Sequence, residues 1–573
     1  MTSLRIFSLC SALLGAVATG AFPSATAQNN TADKGDITLG RALYYEGIGA
    51  DGAPISGVTA GDLSIDGSQM TCVSCHRPSG MGSSEGGTYV PPITASYLFE
   101  DRVSNRALRN ERFKEYYKEP QGPLFVDGAR RGRLREAYDQ KSLGHAIRAG
   151  IDPAGRELDF IMPRYALSDA DVANLTAFLK SNYADVDKGV SEKRLQVATI
   201  IAGDVSDERA EAFSSLVTAY ADWINKDIRT DLARPGYSPY YRSEFLDSYR
   251  EWDVSVWRLT GSENTWQAQL DALYQDHPVF FVASALVEGD YTPVANFCDE
   301  KRVPCILPVT DLPADKVGED SFTIYFSRGL MLEADVLATH LAGTEKVGRI
   351  LQIHSDDAEG ARPAAEFSAV LDTKLENASL KTKKVKSAKA LTKAIERALK
   401  DKKSFDTLVI WPGHHVDAAA KALNSIKADE KRPIYVASTA IDAVRKDVDA
   451  SKRALLLATY PYDKPSAYHA DSYRIRAWLR ARRLAIPDWP MQLQAYYSMK
   501  SIQFAVEHML SDYYGAYLLE LIEHNIGTAF DPGPHPRLSL GPGQRFGSKG
   551  ALIVRFDDSN RKGVVPVSDW IVP

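Results

Sequence analysis

Five consecutive residues, Cys72-Val73-Ser74-Cys75-His76, constrain this 573-residue chain more than any others. Two thiols three positions apart, with an imidazole next in line, can add across two vinyl groups of a porphyrin and aim a ring nitrogen at its iron. The spacing predicts one covalently attached haem c, held by Cys72 and Cys75, with His76 as the proximal iron ligand. A thioredoxin-like dithiol and half of a zinc site are the competing readings. Zinc needs a second ligand pair, and Cys298 and Cys305 are too distant and wrongly spaced to supply it.

The N-terminus reads as an export signal over residues 1–27, leading to an oxidising compartment. Arg5 stands in a short basic region, Leu13, Leu14, Ala16 and Val17 in an apolar stretch, and Ala25-Thr26-Ala27 forms a small-residue cleavage site. The mature chain is expected to begin near Gln28, in the periplasm. The rival, a membrane anchor, is interrupted by Gly15, Gly20 and Pro23 and falls short of the ~20 apolar residues that a span needs. Cys10 precedes most of the apolar run, which argues against a lipid-modified cysteine. Loss of Cys10 with the signal leaves two cysteines besides the haem pair. Cys298 falls near the end of a predicted helix and Cys305 at the start of a strand, so the two are expected to form a disulfide, with a pair of buried thiols as the alternative.

A net charge of −6 gives no global basic field, so neither nucleic acid nor an anionic membrane is indicated as a partner, and no later segment is long and apolar enough to span a bilayer. The length implies two or three packed units.

The haem-bearing unit is read over residues 36–183. Its far-face iron ligand is expected to be Met162, in Ile161-Met162-Pro163-Arg164-Tyr165, just ahead of a helix that opens on Ser168 and Asp171 and continues with Val172, Leu175, Phe178 and Leu179 at helical spacing. An earlier helix carries Leu39, Gly40, Leu43 and Tyr44, where Gly40 would let two helices cross closely. Met70, Met81 and His145 are the other candidates. Met81 lies only five residues past His76, and His145 is read as a surface or propionate-side residue.

With its Gly-x-x-Leu-Tyr helix, its C-x-x-C-H motif and the Met-Pro-x-Tyr segment before the closing helix, this stretch resembles a class I cytochrome c domain. The resemblance implies an all-α fold, maps the family's iron-binding methionine onto Met162, and places Pro91-Pro92 against the proximal histidine. A long polar insert between Tyr45 and Met70 departs from the family pattern.

A short polar linker, 184–192, leads into a larger unit, 193–573. Apolar β-rich runs at Leu195 to Ile201, Val279 to Val282, Cys305 to Leu307, Ile350 to Ile353, Leu408 to Trp411, Ile434 to Val436 and Leu455 to Ala458 alternate with helical segments, which predicts parallel α/β sheets. Motifs for nucleotide binding, zinc proteolysis and serine hydrolysis are absent from this stretch. His414-His415 reads as a loop at a strand end, with no evident carboxylate partner. Lys381 to Lys403, with Leu391, Ile395 and Leu399 four apart, reads as a solvated amphipathic helix. The aromatic stretch from Pro235 to Trp257 is expected to pack in a core, with a cap over a cleft or a face toward the haem unit as alternatives.

The passages Val279 to Ser284, Arg302 to Thr310 and Phe405 to Ile410 resemble type I periplasmic solute-binding proteins of the branched-chain amino acid receptor family. That resemblance implies a two-lobed fold with parallel sheets, closing over a small polar or amino-acid-like ligand, with Ser284 and Thr310 as contacts to it. Helix caps or turns are the ordinary use of such residues. The expected function is single-electron transfer by a periplasmic cytochrome, coupled to a solute-binding or partner-docking unit and exchanging electrons with a dehydrogenase or another cytochrome. The alternatives are a transport or sensory receptor with an accessory haem, served by an ABC permease, and an oxidoreductase subunit acting on the bound solute. No acid, base and nucleophile constellation is visible, so no catalytic residue is assigned.

Overall fold

The computed structural model describes residues 35–85, 88–100, 136–181, 187–233, 249–344, 348–375, 379–401, 403–465, 470–509, 512–527, 535–536, 538–559 and 562–573. The expected export signal with Cys10, linker residues 184–186, and Tyr237, Tyr240 and Tyr241 lie outside them.

In the N-terminal unit the opening helix spans Ile37–Glu46. Asp36 starts it by accepting hydrogen bonds from the Thr38 and Leu39 amides, and Gly47, at φ 69°, ends it in the left-handed region. The closing helix, Asp169–Ser181, begins with a reciprocal cap. The Ser168 amide donates to Asp171 Oδ2 at 2.8 Å, and the Asp171 amide donates to Ser168 Oγ at 3.1 Å. The two helices cross at Gly40, where a Cβ would stand 2.1 Å from the Asn174 carbonyl oxygen. Another helix, Gln140–Ala149, packs Gly144 against Val172.

This unit is not all helix, which corrects the expectation. Ser56–Thr59 is the central strand of a three-stranded antiparallel sheet, flanked by Leu63–Asp66 and Arg164–Tyr165. The polar insert thus supplies a hairpin around Ala60-Gly61-Asp62, with Gly61 and Asp62 both at positive φ, and pairs it to the segment beyond Met162. A small hairpin, Ser83–Glu85 with Thr88–Val90, follows the haem motif.

The larger unit has two lobes. The first is built on a five-stranded parallel sheet in the order Thr323–Ile324, Cys305–Ile306, Phe281–Val287, Arg194–Ala202, Glu251–Arg258. Helices Asp207–Ala233, Trp489–Met509 and Gly515–Asn525 share its core. The second sheet runs Ser379–Val385, Arg349–Ser355, Thr407–Trp411, Ile434–Val436, Leu456–Tyr460, Leu552–Phe556, Val564–Pro566. Its first five strands are parallel and the last two antiparallel. The chain crosses between lobes near 326–329, between the strand Leu456–Tyr460 and the helix Ala470–Ala481, and near 547–551, so the lobes share a segmented hinge. Gly329, at φ 55°, has no room for a Cβ beside the Asp311 carbonyl.

One sequence reading is corrected here. The lysine-rich run is not one helix: Ser379–Val385 is an exposed edge strand, and the helix is Ala388–Lys400. Lysines along an unpaired edge discourage pairing with another chain. The second half of the aromatic stretch is the strand Glu251–Arg258, with Trp252 packed on Phe281 and Trp257 on Phe297 inside the core.

A disulfide joins Cys298, on helix Thr292–Lys301, to Cys305. Alkylation of the unreduced, denatured protein is expected to leave both cysteines unlabelled, and labelling of either would contradict the bond.

Among the described residues, the haem unit and the linker touch the larger unit through specific contacts. Tyr97 donates its hydroxyl to Asp512 at 2.9 Å, and the Ser96 and Tyr514 hydroxyls lie 3.4 Å apart. The Asp187 carboxylate accepts from the Gly515 amide. The Glu520 carboxylate accepts from the amide and hydroxyl of Ser79. Each partner from the larger unit lies on the first lobe.

Candidate functional site

Helix Cys72–His76 forms one wall of an apolar cleft in the N-terminal unit, enclosing ≈1310 Å³ with its open mouth included. Leu43, Ile55, Leu98, Leu143, Leu175 and Leu179 contribute to the lining. His76 is buried. Its Nδ1 lies 3.1 Å from the Pro91 carbonyl, which can only accept and so takes the ring proton and leaves the Nε2 lone pair for another partner. Burial drives the imidazole down to about 4, against the pull of the Pro91 carbonyl, so the ring stands neutral, as an iron ligand must. Cys72 and Cys75 both line the cleft with their thiols unpaired, and burial pushes Cys72 up to about 12.

Met162 also lines the cleft, on a loop held by Arg164. The Arg164 guanidinium donates to the carbonyls of Leu158, Asp159 and Met162. The Tyr165 hydroxyl donates to the Met70 carbonyl, tying the loop to the segment before the haem motif. Met70 shares the lining. Met81 is buried elsewhere, and His145 is exposed on the outer face of its helix. Pro91 and Pro92 line the cleft as well, Pro91 through its hydrogen bond to His76. An apolar slot furnished with two thiols, one neutral imidazole and a thioether fits a covalently bound haem.

Between the lobes of the larger unit lies a second, smaller cavity, lined in part by Thr310, Asp311, Phe326, Glu333, Tyr462 and His535. Thr310 reaches it while its hydroxyl accepts from the Leu312 amide, so it is a turn residue as well as a lining residue. Ser284 does not reach it. The strand runs on to Val287, and Ser284 sits at a register shift against Ala198 and Ile200, at φ 55°, buried, with its hydroxyl on the Leu307 carbonyl.

Sequence reasoning missed Glu333 and His535. Glu333, in the first turn of Leu330–Ala342, accepts from the Ser438 amide at 2.9 Å and from the Ser438 and Thr459 hydroxyls, while burial pushes its carboxyl up. His535 stacks on Phe326 with ring centroids 5.2 Å apart, and burial drives it down to about 4. Asp311 opens onto the water of the cleft, yet the surrounding protein, followed by Glu333 and Glu359, pushes it up to about 7. No local motif marks any of these residues; only the meeting of three chain segments does. His414 has the carboxylate partner that the sequence did not reveal: Glu359 lies 3.2 Å away and raises the imidazole to about 9. It stands on a short 3-10 turn after strand Thr407–Trp411, as expected of a strand end.

The first cleft defines a haem-binding class of domain, and residues 68–182 match the family model described as Cytochrome c. This segment is a cytochrome c domain. No curated protein matches the chain. Among solved structures, the chain is similar to a fatty acid ABC transporter substrate-binding protein from Thermomonospora curvata, at 12% identity and a TM-score of 0.48, covering 68% of this chain and 95% of that one. It is also similar to a branched chain amino acid ABC transporter from Thermus thermophilus with bound valine, at 12% identity and a TM-score of 0.49, covering 66% and 97%. An ABC transporter substrate-binding protein from Sphaerobacter thermophilus gives 12% identity and a TM-score of 0.49, covering 66% and 98%. Among the described residues no helix is long and apolar enough to cross a membrane.

Proposed function

We propose that the chain is a periplasmic single-electron carrier, with one haem held by Cys72, Cys75, His76 and Met162, joined to a two-lobed unit that takes a small polar or amino-acid-like ligand between its lobes. The observation that carries this reading is the placement of the two thiols, the neutral imidazole and the Met162 thioether, with Met70 beside them, on one apolar cleft. When bound, haem supplies a reversible one-electron couple. The chain's part would be to hold the iron through both His76 and Met162, which would favour electron exchange over chemistry at an open iron site. The apolar lining keeps water from the group and the Pro91 carbonyl fixes the tautomer of His76. A dehydrogenase or another cytochrome is the redox partner that suits such a carrier.

Optical redox titration of the purified holoprotein, alone and with a panel of solutes, tests this. A one-electron transition from haem that survives acid extraction is expected, with a midpoint that moves when a ligand occupies the inter-lobe cavity. Haem that washes out would sink the carrier. A midpoint indifferent to a solute shown independently to bind would separate the two functions and leave an electron carrier tethered to an independent receptor.

A further inference from the structure

The contact between Ser79 and Glu520 joins the haem loop to the binding unit through a half-buried carboxylate. Ser79 is fully buried, three residues past His76. Its amide donates to Glu520 Oε1 at 2.7 Å and its hydroxyl to Oε2 at 2.5 Å, while its Oγ also accepts from the Met81 amide at 3.0 Å. The same loop is tied to the haem wall twice more. The Gly82 amide donates to the His76 carbonyl at 3.1 Å, and the Ile93 amide donates to the Gly80 carbonyl at 2.7 Å, beside the Pro91 carbonyl that holds the His76 ring. Glu520 lies on helix Gly515–Asn525 of the first lobe, 441 residues along the chain from its partner.

We infer that Glu520 is a positioning residue, reaching across from the binding unit to hold the haem loop and to set the potential of the haem, so that electron uptake by the haem draws a proton onto Glu520. The inference rests on the haem reading above. A carboxylate charge close to the loop favours the more positive, oxidised haem. Adding one electron from a one-electron donor therefore raises the proton affinity of Glu520, and one proton from solvent joins its carboxylate oxygen.

The surroundings suit such a coupling. Burial drives Glu520 up to about 8, against the two Ser79 hydrogen bonds. Glu523, on the same helix and paired with Arg545, pushes in the same direction as burial, whereas Arg77 from the haem loop pulls down. From the opening helix Tyr45 faces the same region, with Arg302 of the first lobe close to it. The sign follows: below its folded value Glu520 is neutral and the potential stays high, and as pH rises through that value the charge appears and the potential falls.

The test is the midpoint potential of the holoprotein between about pH 6 and 10, for the wild type, Glu520→Gln and Ser79→Ala. The wild type is expected to fall across this window, by at most about 59 mV for each tenfold change in proton activity. Glu520→Gln is expected to hold the high value without the fall. Ser79→Ala, which removes a bond favouring the charged carboxylate, is expected to move the fall to higher pH. Superimposable profiles for the wild type and Glu520→Gln would overturn the inference. Should Glu520→Gln fail to fold, an unmoved profile in Ser79→Ala overturns it instead. A wild-type protein without covalent haem would point to failure of the haem reading, which the visible spectrum distinguishes at once.

Discussion

Met162→Ala is expected to change the visible and near-infrared haem spectrum and to lower the midpoint potential by a sizeable part of the roughly 0.8 V range over which axial ligands tune haems. Thioether ligation favours the reduced iron, so its loss favours the oxidised state. The effect should be large because the loop is pre-set for this residue. Arg164 fixes three of its carbonyls, and Arg164–Tyr165 is itself a strand of the small sheet, so alanine leaves a gap in a loop held where it is. Met70→Ala is the matched control, since Met70 lines the same cleft, and it should leave the spectrum intact. An unchanged spectrum in Met162→Ala would transfer the assignment away from Met162, with Met70 first in line.

Gly40→Ala should cost the N-terminal unit about 1–3 kcal/mol, the usual penalty for forcing extra volume into a close-packed contact. The added methyl would meet the Asn174 carbonyl oxygen at 2.1 Å and Phe178 Cβ at 2.7 Å, and neither is the free end of a flexible side chain. The opening and closing helices would have to part, and Leu43 and Leu179, which line the haem cleft from the two helices, would part with them. Denaturant titration followed by far-ultraviolet circular dichroism and haem absorbance measures this. Midpoints equal to those of the parent would show that the helix crossing yields without cost.

Much of the N-terminal site was legible because its chemistry is local. The haem motif occupies five adjacent residues, the reciprocal cap of Ser168 and Asp171 spans four, and Met162 sits a few residues upstream. The insert was not legible as strands. Its paired segments are only four residues long, and although Leu63–Asp66 alternates apolar and polar residues, so short a run on its own does not mark a strand. In the larger unit the buried parallel strands announced themselves as apolar runs. The edge strand Ser379–Val385, five of its seven residues polar or charged and turned to solvent, merged by eye with the lysine-rich helix after it. The inter-lobe cavity was least legible of all. Ser284 lies apart from this cavity, at one extra residue in its strand, and Glu333, Asp311 and His535 meet only where separate crossings of the hinge converge.

The attachment of the haem unit to one lobe carries a geometric consequence. Ser79, Ser96, Tyr97 and Asp187 all find their partners between Asp512 and Glu520, a stretch of the first lobe only. If the larger unit opens and shuts like a clam, the haem travels as a passenger on one valve. Its seat there stays constant while the other valve approaches or recedes. An electron donor or acceptor that touched both the haem unit and the moving valve would then meet a different doorway in the shut and open forms.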